Sequence, residues 1–214
     1  MVRNRYQDQL DILNKELLLM GSLCETALDF IIQALHGNTT TLSEEIVVLS
    51  KRVEDKERGL ENLCIQLLLK QQPVAGDLRK ISAGLKNVTD LKRIGEQAGN
   101  IANILATQTF SNENDVKLLF DMATATKQMV SESMEAFSKS REELAKDARA
   151  HDDKVDDLFH ETKRSLIASI RKGEDDGEEA LNCLMVAKYF EKISDHAVNI
   201  SGWVLFSLTG VHEE

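Results

Sequence analysis

The strongest constraint on the fold is a helical pattern that occurs twice in the chain. Residues 92–101 match residues 191–200 at an offset of 99, with isoleucine, alanine and asparagine at the same places. An earlier pair of segments, 54–60 and 152–158, matches at an offset of 98 and in the same order. Two matches at nearly one offset predict a duplicated unit of about a hundred residues.

Each copy of this unit is predicted to be helical. Apolar residues recur every three or four positions through most of the chain, which is typical of amphipathic helices. The single proline and the 5% content of aromatic residues also favour an all-α protein. We therefore predict two tandem three-helix bundles with six long helices, in domains at residues 1–110 and 111–214, divided by the polar segment 111–114.

Capping and breaking residues predict the helix ends. In the first copy, the first helix should span residues 3–35 and end at 36–38. Three polar residues could cap the second helix, which should reach residue 72: Thr39, Thr41 and Ser43. Pro73 suits the first turn of the third helix.

In the second copy, the charged stretch 139–153 has no glycine or proline, so a helix change is placed near residues 148–151. The fifth helix should end at Gly173. The sixth should begin at Asp175 or Asp176 and run to about Leu208, with Gly210 after it.

Charge and composition exclude several classes of function. The net charge of −10 makes nucleic acid an unfavourable partner. Three well-separated cysteines lie in apolar helical runs and are predicted to be core residues: Cys24, Cys64 and Cys183. No apolar signal region occurs and no apolar run approaches the roughly 18–20 residues of a membrane span, so we expect a soluble, cytoplasmic protein. Nothing in the sequence resembles a nucleophile and base pair or a phosphate-cradling glycine loop, so catalysis is not expected.

Two pairs of carboxylates are predicted to face each other across the last helix hairpin. Residues four apart lie on one stripe of a helix, and both pairs lie at nearly the same distance from the turn near Gly173. Four carboxylates at one height would bind a hard or borderline cation such as Mg²⁺, Mn²⁺, iron or Zn²⁺, with Asn199 as a neutral oxygen ligand nearby. The four are Asp152, Asp156, Glu191 and Asp195.

An alternative reading of these carboxylates is a solvated acidic face, because such pairs are common on surface helices. Glu191 and Asp195 fall opposite the apolar stripe of their helix, so they are not expected to point into the core. His196 is a further candidate ligand, although a lone helix histidine is more often a rim residue.

The first copy differs in charge at the corresponding positions. Arg58 and Lys92 stand there beside Glu54 and Glu96, so the formal charge of the set is zero rather than −4. We predict that metal binding is confined to the second copy. In the first copy we expect ion pairs within the bundle, either Arg58 with Glu96 or Glu54 with Lys92.

These motifs resemble those of the PhoU family, cytoplasmic regulators of bacterial phosphate uptake. The resemblance covers the whole chain, including the duplication, and the combination of motifs is fairly specific. The segments that carry it are Pro73-x-x-x-Asp77-Leu78-Arg79, Arg93-Ile94-Gly95-Glu96-x-Ala98-x-Asn100-Ile101 and Glu191-Lys192-Ile193-Ser194-Asp195-His196-Ala197-x-Asn199-Ile200.

The resemblance implies two three-helix bundles with a multinuclear metal site in each copy, negative control of high-affinity phosphate transport, and dimers or higher oligomers. It also implies contact with the phosphate ABC-transporter ATPase and a sensor histidine kinase, and membrane association only through partners. The second copy's four carboxylates match the metal motifs, whereas Arg58 and Lys92 depart from them. Two other hypotheses stay open: a metal-storage or buffering bundle, and a purely structural coiled-coil scaffold.

Overall fold

The computed structural model describes residues 2–37, 39–70, 74–173 and 177–211. These residues form helices and no strands, which confirms the all-α fold with a repeated helical unit. The helices are α1 (Val2–Leu35), α2 (Thr39–Lys70), α3 (Ala75–Leu105), α4 (Glu113–Lys139), α5 (Glu142–Ala150), α6 (Asp152–Lys172) and α7 (Glu178–Thr209).

The short helix α5 is an addition to the six predicted helices. Ser140 adopts the left-handed conformation (φ 50°, ψ 47°) and ends α4, and Arg141 after it is extended. The amide of Arg141 donates to the carbonyl of Ala136, which closes the end of α4 in the manner of a Schellman motif. The chain therefore breaks at residues 139–141 as well as at the predicted junction near His151, because a serine takes the place that glycine usually fills.

Glycine caps confirm two predicted helix ends, whereas Thr41 and Ser43 lie inside α2, which begins at Thr39, so neither of them caps it. Gly173 (φ 71°) caps α6 and Gly210 (φ 80°) caps α7, both in the left-handed region. The predicted starts at Pro73, Asp175 and Asp176 lie outside the described residues, as do the side chains of Thr39 and Thr40.

The two copies share one core rather than standing apart. Helix α1 packs against α4, and α3 packs against α7, so four central helices are flanked by α2 on one side and by α5 and α6 on the other. The α3–α7 pair is antiparallel, since Gln108 bonds to Asn182 at one end and Lys86 lies 5.6 Å from the Trp203 ring centre at the other. The main cluster of buried apolar residues runs through both copies, and a smaller one lies beside α5.

Close contact between α2 and α3 depends on a motif glycine. A methyl group built on Gly95 would lie 2.8 Å from Cγ1 of Val53, which is too close for any real side chain. The isoleucine before it, Ile94, is fully buried. The small residue therefore lets α2 approach the face of α3 that carries the predicted ion pairs.

The three cysteines are buried, as predicted, and none of them forms a disulfide. Burial raises the pKa of the Cys24 thiol to about 12 and that of Cys64 to about 11. These thiols therefore stay protonated at neutral pH and behave as small core side chains.

Helix α1 has an apolar composition that reflects its central position. Residues Tyr6–Leu35 are long enough to cross a membrane, and an 18-residue window within them is apolar enough (mean hydropathy 1.5). The sequence did not predict such a span, because charged and polar residues interrupt the apolar run. Half of that apolar window is buried inside the protein. Packing in the core accounts for this composition, because α1 contacts α2, α3 and α4.

Candidate metal centre

The structure places the four predicted carboxylates of the second copy on facing parts of two helices. Asp152 and Asp156 lie on the first turns of α6, and Glu191 and Asp195 lie on the facing part of α7. Burial raises the pKa of Asp156, and the charges of Glu191 and Asp195 raise it further. Mutual repulsion of this kind is expected where like charges share one site.

Asp152 is the most constrained of the four. Burial is the main cause of its raised pKa; Asp156 and Asp195 add to the rise, while the hydroxyl of Ser194 opposes it. Its Oδ1 atom is buried and has no hydrogen-bond partner. A buried carboxylate oxygen without a donor is costly, so the residues present fit a cation at this position.

Two lysines of α7 supply part of the missing positive charge. Lys188 Nζ lies 2.5 Å from Oε2 of Glu191, and Lys192 Nζ lies 2.8 Å from Oδ2 of Asp195. Four carboxylates against these two ammonium groups leave a formal charge of −2, of which the charge of His160 offsets part at Asp156. That remainder equals the charge of one divalent cation.

The side chains as they stand are arranged for these lysines rather than for an ion. Within residues 2–37, 39–70, 74–173 and 177–211, no three His, Cys, Asp or Glu side chains converge closely enough to hold a metal. Lys192 also lies 3.7 Å from Oε2 of Glu191, so it bridges the two acids of its own helix. Metal binding therefore stays a prediction, and it requires these acids to turn away from their lysines.

Glu191 is less exposed than its position opposite the apolar stripe of α7 suggests. The Glu191 side chain is only 17% exposed, whereas that of Asp195 is 45% exposed. Glu191 lies opposite the apolar stripe of α7, but α6 packs against α7 near this position. The position is therefore semi-enclosed, which strengthens any electrostatic interaction made there.

Asn199 and His196 do not join the four carboxylates. His196 Nδ1 lies 2.9 Å from Oδ1 of Asp90, and the amide of Asn199 donates to the same oxygen at 3.4 Å. Asp90 is buried on α3, so this small cluster connects the two copies. Sequence reasoning missed it because position 90 corresponds to Tyr189 in the second copy, and the repeat gives no signal there.

In the first copy, the predicted ion pairs have different partners. Arg58 bonds to Glu54 on its own helix at 3.0 Å instead of to Glu96, and Lys92 lies 2.9 Å from Glu57 instead of pairing with Glu54. Lys92 also reaches Glu96 at 3.8 Å.

The reason for this difference is the helical phase of α2. Glu57 lies on the buried stripe of α2 together with Val53 and Leu60, so its carboxylate faces α3, whereas Arg58 is one residue on and exposed. The second copy has the buried Val155 at the corresponding place, 98 residues on. The feature of the sequence that could have predicted the bond from Lys92 to Glu57 is a glutamate on the buried stripe of α2.

Comparisons with known proteins agree with the duplicated fold. The family model for the PhoU domain matches twice, at residues 17–105 and 119–204. The phosphate-specific transport system accessory protein PhoU homolog of Clostridium acetobutylicum is 30% identical over 212 residues, which cover 98% of this chain and 97% of that protein. A homolog from Methanothermobacter thermautotrophicus is 34% identical over 170 residues, covering 78% and 77% of the two chains.

Two crystal structures have the same architecture. PhoU from Pseudomonas aeruginosa superposes with a TM-score of 0.90 at 26% identity, covering 96% of this chain and 100% of that one. The regulatory protein PhoU from Streptococcus pneumoniae gives a TM-score of 0.88 at 20% identity over 98% and 99% of the chains, a likeness of fold alone. Because both halves match the family model and the full length matches its members, the chain belongs to the PhoU family.

Proposed function

We propose that this protein is a non-enzymatic accessory regulator of phosphate transport that restrains uptake when phosphate is plentiful. The observation that carries the proposal is the full-length similarity to proteins named phosphate-specific transport system accessory proteins, which extends over 98% of the chain. The duplicated helical architecture is also that of the PhoU crystal structure from Pseudomonas aeruginosa.

In this proposal, the protein works in the cytoplasm as an adaptor. It contacts the phosphate ABC-transporter ATPase and a sensor histidine kinase, and it reaches the membrane only through them. It acts as a homodimer. A long helical surface with a net charge of −10 suits contact with proteins better than contact with nucleic acid.

The second-copy carboxylates give the proposal a metal-dependent element. Asp152, Asp156, Glu191 and Asp195 would hold a divalent or iron-type ion, and the orphaned oxygen of Asp152 supports this assignment. The bound ion would supply positive charge that fastens α6 to α7. Lys188 and Lys192 would be released to solvent, which changes the charge pattern of the exposed face of α7.

Gene deletion and affinity capture test the regulatory role. Deletion should make phosphate uptake constitutive, and tagged protein should capture the transporter ATPase and the sensor kinase. Unchanged uptake with altered metal tolerance would favour the alternative, a metal-storage or buffering bundle. Unchanged uptake and unchanged metal tolerance would favour the structural scaffold.

Metal titration of the purified protein tests the carboxylate site separately. We expect Glu191→Ala with Asp195→Ala to abolish binding of the divalent ion, whereas the matched first-copy variant Glu54→Ala with Glu96→Ala keeps the native stoichiometry. The assignment fails if the second-copy variant retains the native stoichiometry. It also fails if the native protein binds no divalent ion at neutral pH.

A further inference from the structure

A polar cleft of about 140 Å³ lies at one end of the molecule, well away from the carboxylates. The amino-terminal halves of α1 and α3 meet the carboxyl-terminal ends of α4 and α7 there. This volume is several times the roughly 30 Å³ that a water molecule occupies in the liquid. Its polar lining residues are Asn14, Lys80, Asn87, Ser138, Ser140 and Ser207.

Asn87 in the cleft lacks a hydrogen-bond donor for its side-chain oxygen. The residue is only 2% exposed, and its Oδ1 atom is buried without a hydrogen-bond donor. Leaving a buried acceptor unsatisfied is costly, so such an atom is expected to meet a donor in the working state of the protein. Because Asn87 lines the cleft, a bound molecule can supply that donor.

The duplication shows that the fold does not require this polar lining. At an offset of 99 residues, Asn87 corresponds to the buried Val186 and Lys80 corresponds to Glu179. The related cleft at the opposite end is only about 50 Å³ and is mostly apolar, with Leu35, Leu105 and Val116 among its lining residues. The buried Val186 shows that the fold accepts an apolar residue at this place, so the buried amide of Asn87 calls for another explanation.

The lining defines the chemistry of a ligand. Lys80 provides a positive charge, and no Asp or Glu is among the described residues that line the cleft, although the chain as a whole is strongly acidic. Asn87 Oδ1 needs a hydrogen-bond donor. The hydroxyl of Ser207 donates to the carbonyl of Val204 at 2.7 Å, so towards the cleft Ser207 can only accept.

We propose that this cleft binds a small anion that carries a hydroxyl hydrogen, of which hydrogen phosphate is the simplest example. The negative oxygens accept from Lys80 and from the serine hydroxyls of the α4 end, and the hydroxyl donates to Asn87. The site goes beyond the proposed regulatory function and does not depend on the metal centre.

Calorimetric titration of the full-length, chelator-treated protein tests the ligand class, with inorganic phosphate as the probe. Sulfate is the control for shape and charge, since it carries no proton at neutral pH, and glycerol is the control for hydroxyl groups without charge. One phosphate should bind per chain, at least tenfold more tightly than sulfate or glycerol. Absence of phosphate binding, or equal binding of either control, would overturn the proposal.

Variants locate the binding. Asn87→Val and Lys80→Met should each weaken phosphate binding at least tenfold, whereas Lys117→Met, a change at an exposed lysine of α4, should not. Asn87→Val copies the residue of the other copy and removes an orphaned polar atom, so it should melt no lower than the native protein. Native affinity in both cleft variants would refute the site.

A separate variant distinguishes this site from the metal centre. Glu191→Gln with Asp195→Asn should bind phosphate as the native protein does, whatever its metal content. If phosphate affinity falls in that variant and not in the cleft variants, phosphate binding depends on the region around α6 and α7 and the cleft proposal is wrong.

Discussion

Asp152 makes the folded protein sensitive to pH in a defined direction. Its pKa is raised by burial and by neighbouring carboxylates, so the folded state binds this proton more tightly than the unfolded chain does. The resulting stabilisation is present below the ordinary carboxyl pKa and is lost as the pH rises through the raised value. In chelator at pH 7, Asp152→Asn should therefore raise the melting temperature, by about 1–2 °C if each relieved like-charge contact contributes a few tenths of a kcal/mol.

The control for this prediction is a carboxylate whose pKa is shifted in the opposite direction. Glu54 has a lowered pKa because Lys51 and then Arg58 donate to it, so Glu54→Gln should lower stability at pH 7. Melting curves between pH 4 and pH 8 compare the two, and both differences from the native protein should shrink towards pH 4. If Asp152→Asn melts below the native protein at pH 7, the carboxylate is not repelled in the folded state.

At the scale of the element, Gly95 decides how closely α2 lies against α3. Gly95→Ala places a methyl group 2.8 Å from Cγ1 of Val53, and overpacking of this kind costs about 1–3 kcal/mol. Gly59 is also mid-helix but has no atom within 4 Å of the added methyl group, so Gly59→Ala should stabilise by about 0.5–1 kcal/mol. Urea unfolding of both variants measures these effects, and Val53→Ala should rescue part of the Gly95→Ala loss. Equal effects of the two alanines would show that α2 moves freely.

The end of α4 gives a second prediction for an element. Ser140 is held in the left-handed region, which costs a residue with a Cβ atom about 1–2 kcal/mol. Ser140→Gly should therefore raise the free energy of unfolding, whereas the same change at the exposed helical Ser138 should lower it. Chemical unfolding of the two variants checks the sign, and a loss at both positions would mean that α4 does not end at Ser140 in solution.

At the scale of the molecule, the shared core predicts that the two copies unfold together. α1 packs against α4 and α3 against α7, and the buried Asp90 bonds across the copies to His196. Calorimetry should give one transition whose van't Hoff and calorimetric enthalpies agree. Two resolved transitions would show instead that each three-helix unit is stable alone.

The sequence predicted features that depend on periodicity and on glycine. The helix ends follow from the left-handed conformation that glycine adopts readily at Gly173 and Gly210. The proximity of Asp156 and Glu191 follows from their equal distances from the turn between α6 and α7. The break at Ser140 was missed because serine rarely takes the left-handed conformation. The bond from Lys92 to Glu57 was missed because helical phase across two helices, rather than spacing within one, decides which acid faces the lysine.

That bond distinguishes the two halves of the molecule by the source of their positive charge. In the first copy the ammonium group that neutralises Glu57 belongs to Lys92, which is part of the chain. This counter-charge is therefore present whatever the ion concentrations in the cell. The second copy has Val155 and Glu191 at the corresponding places, and in the proposed metal site a bound ion would complete its positive charge. With the proposed metal site occupied, duplication would have produced one half with a fixed internal counter-charge and another whose state varies with the ions around it.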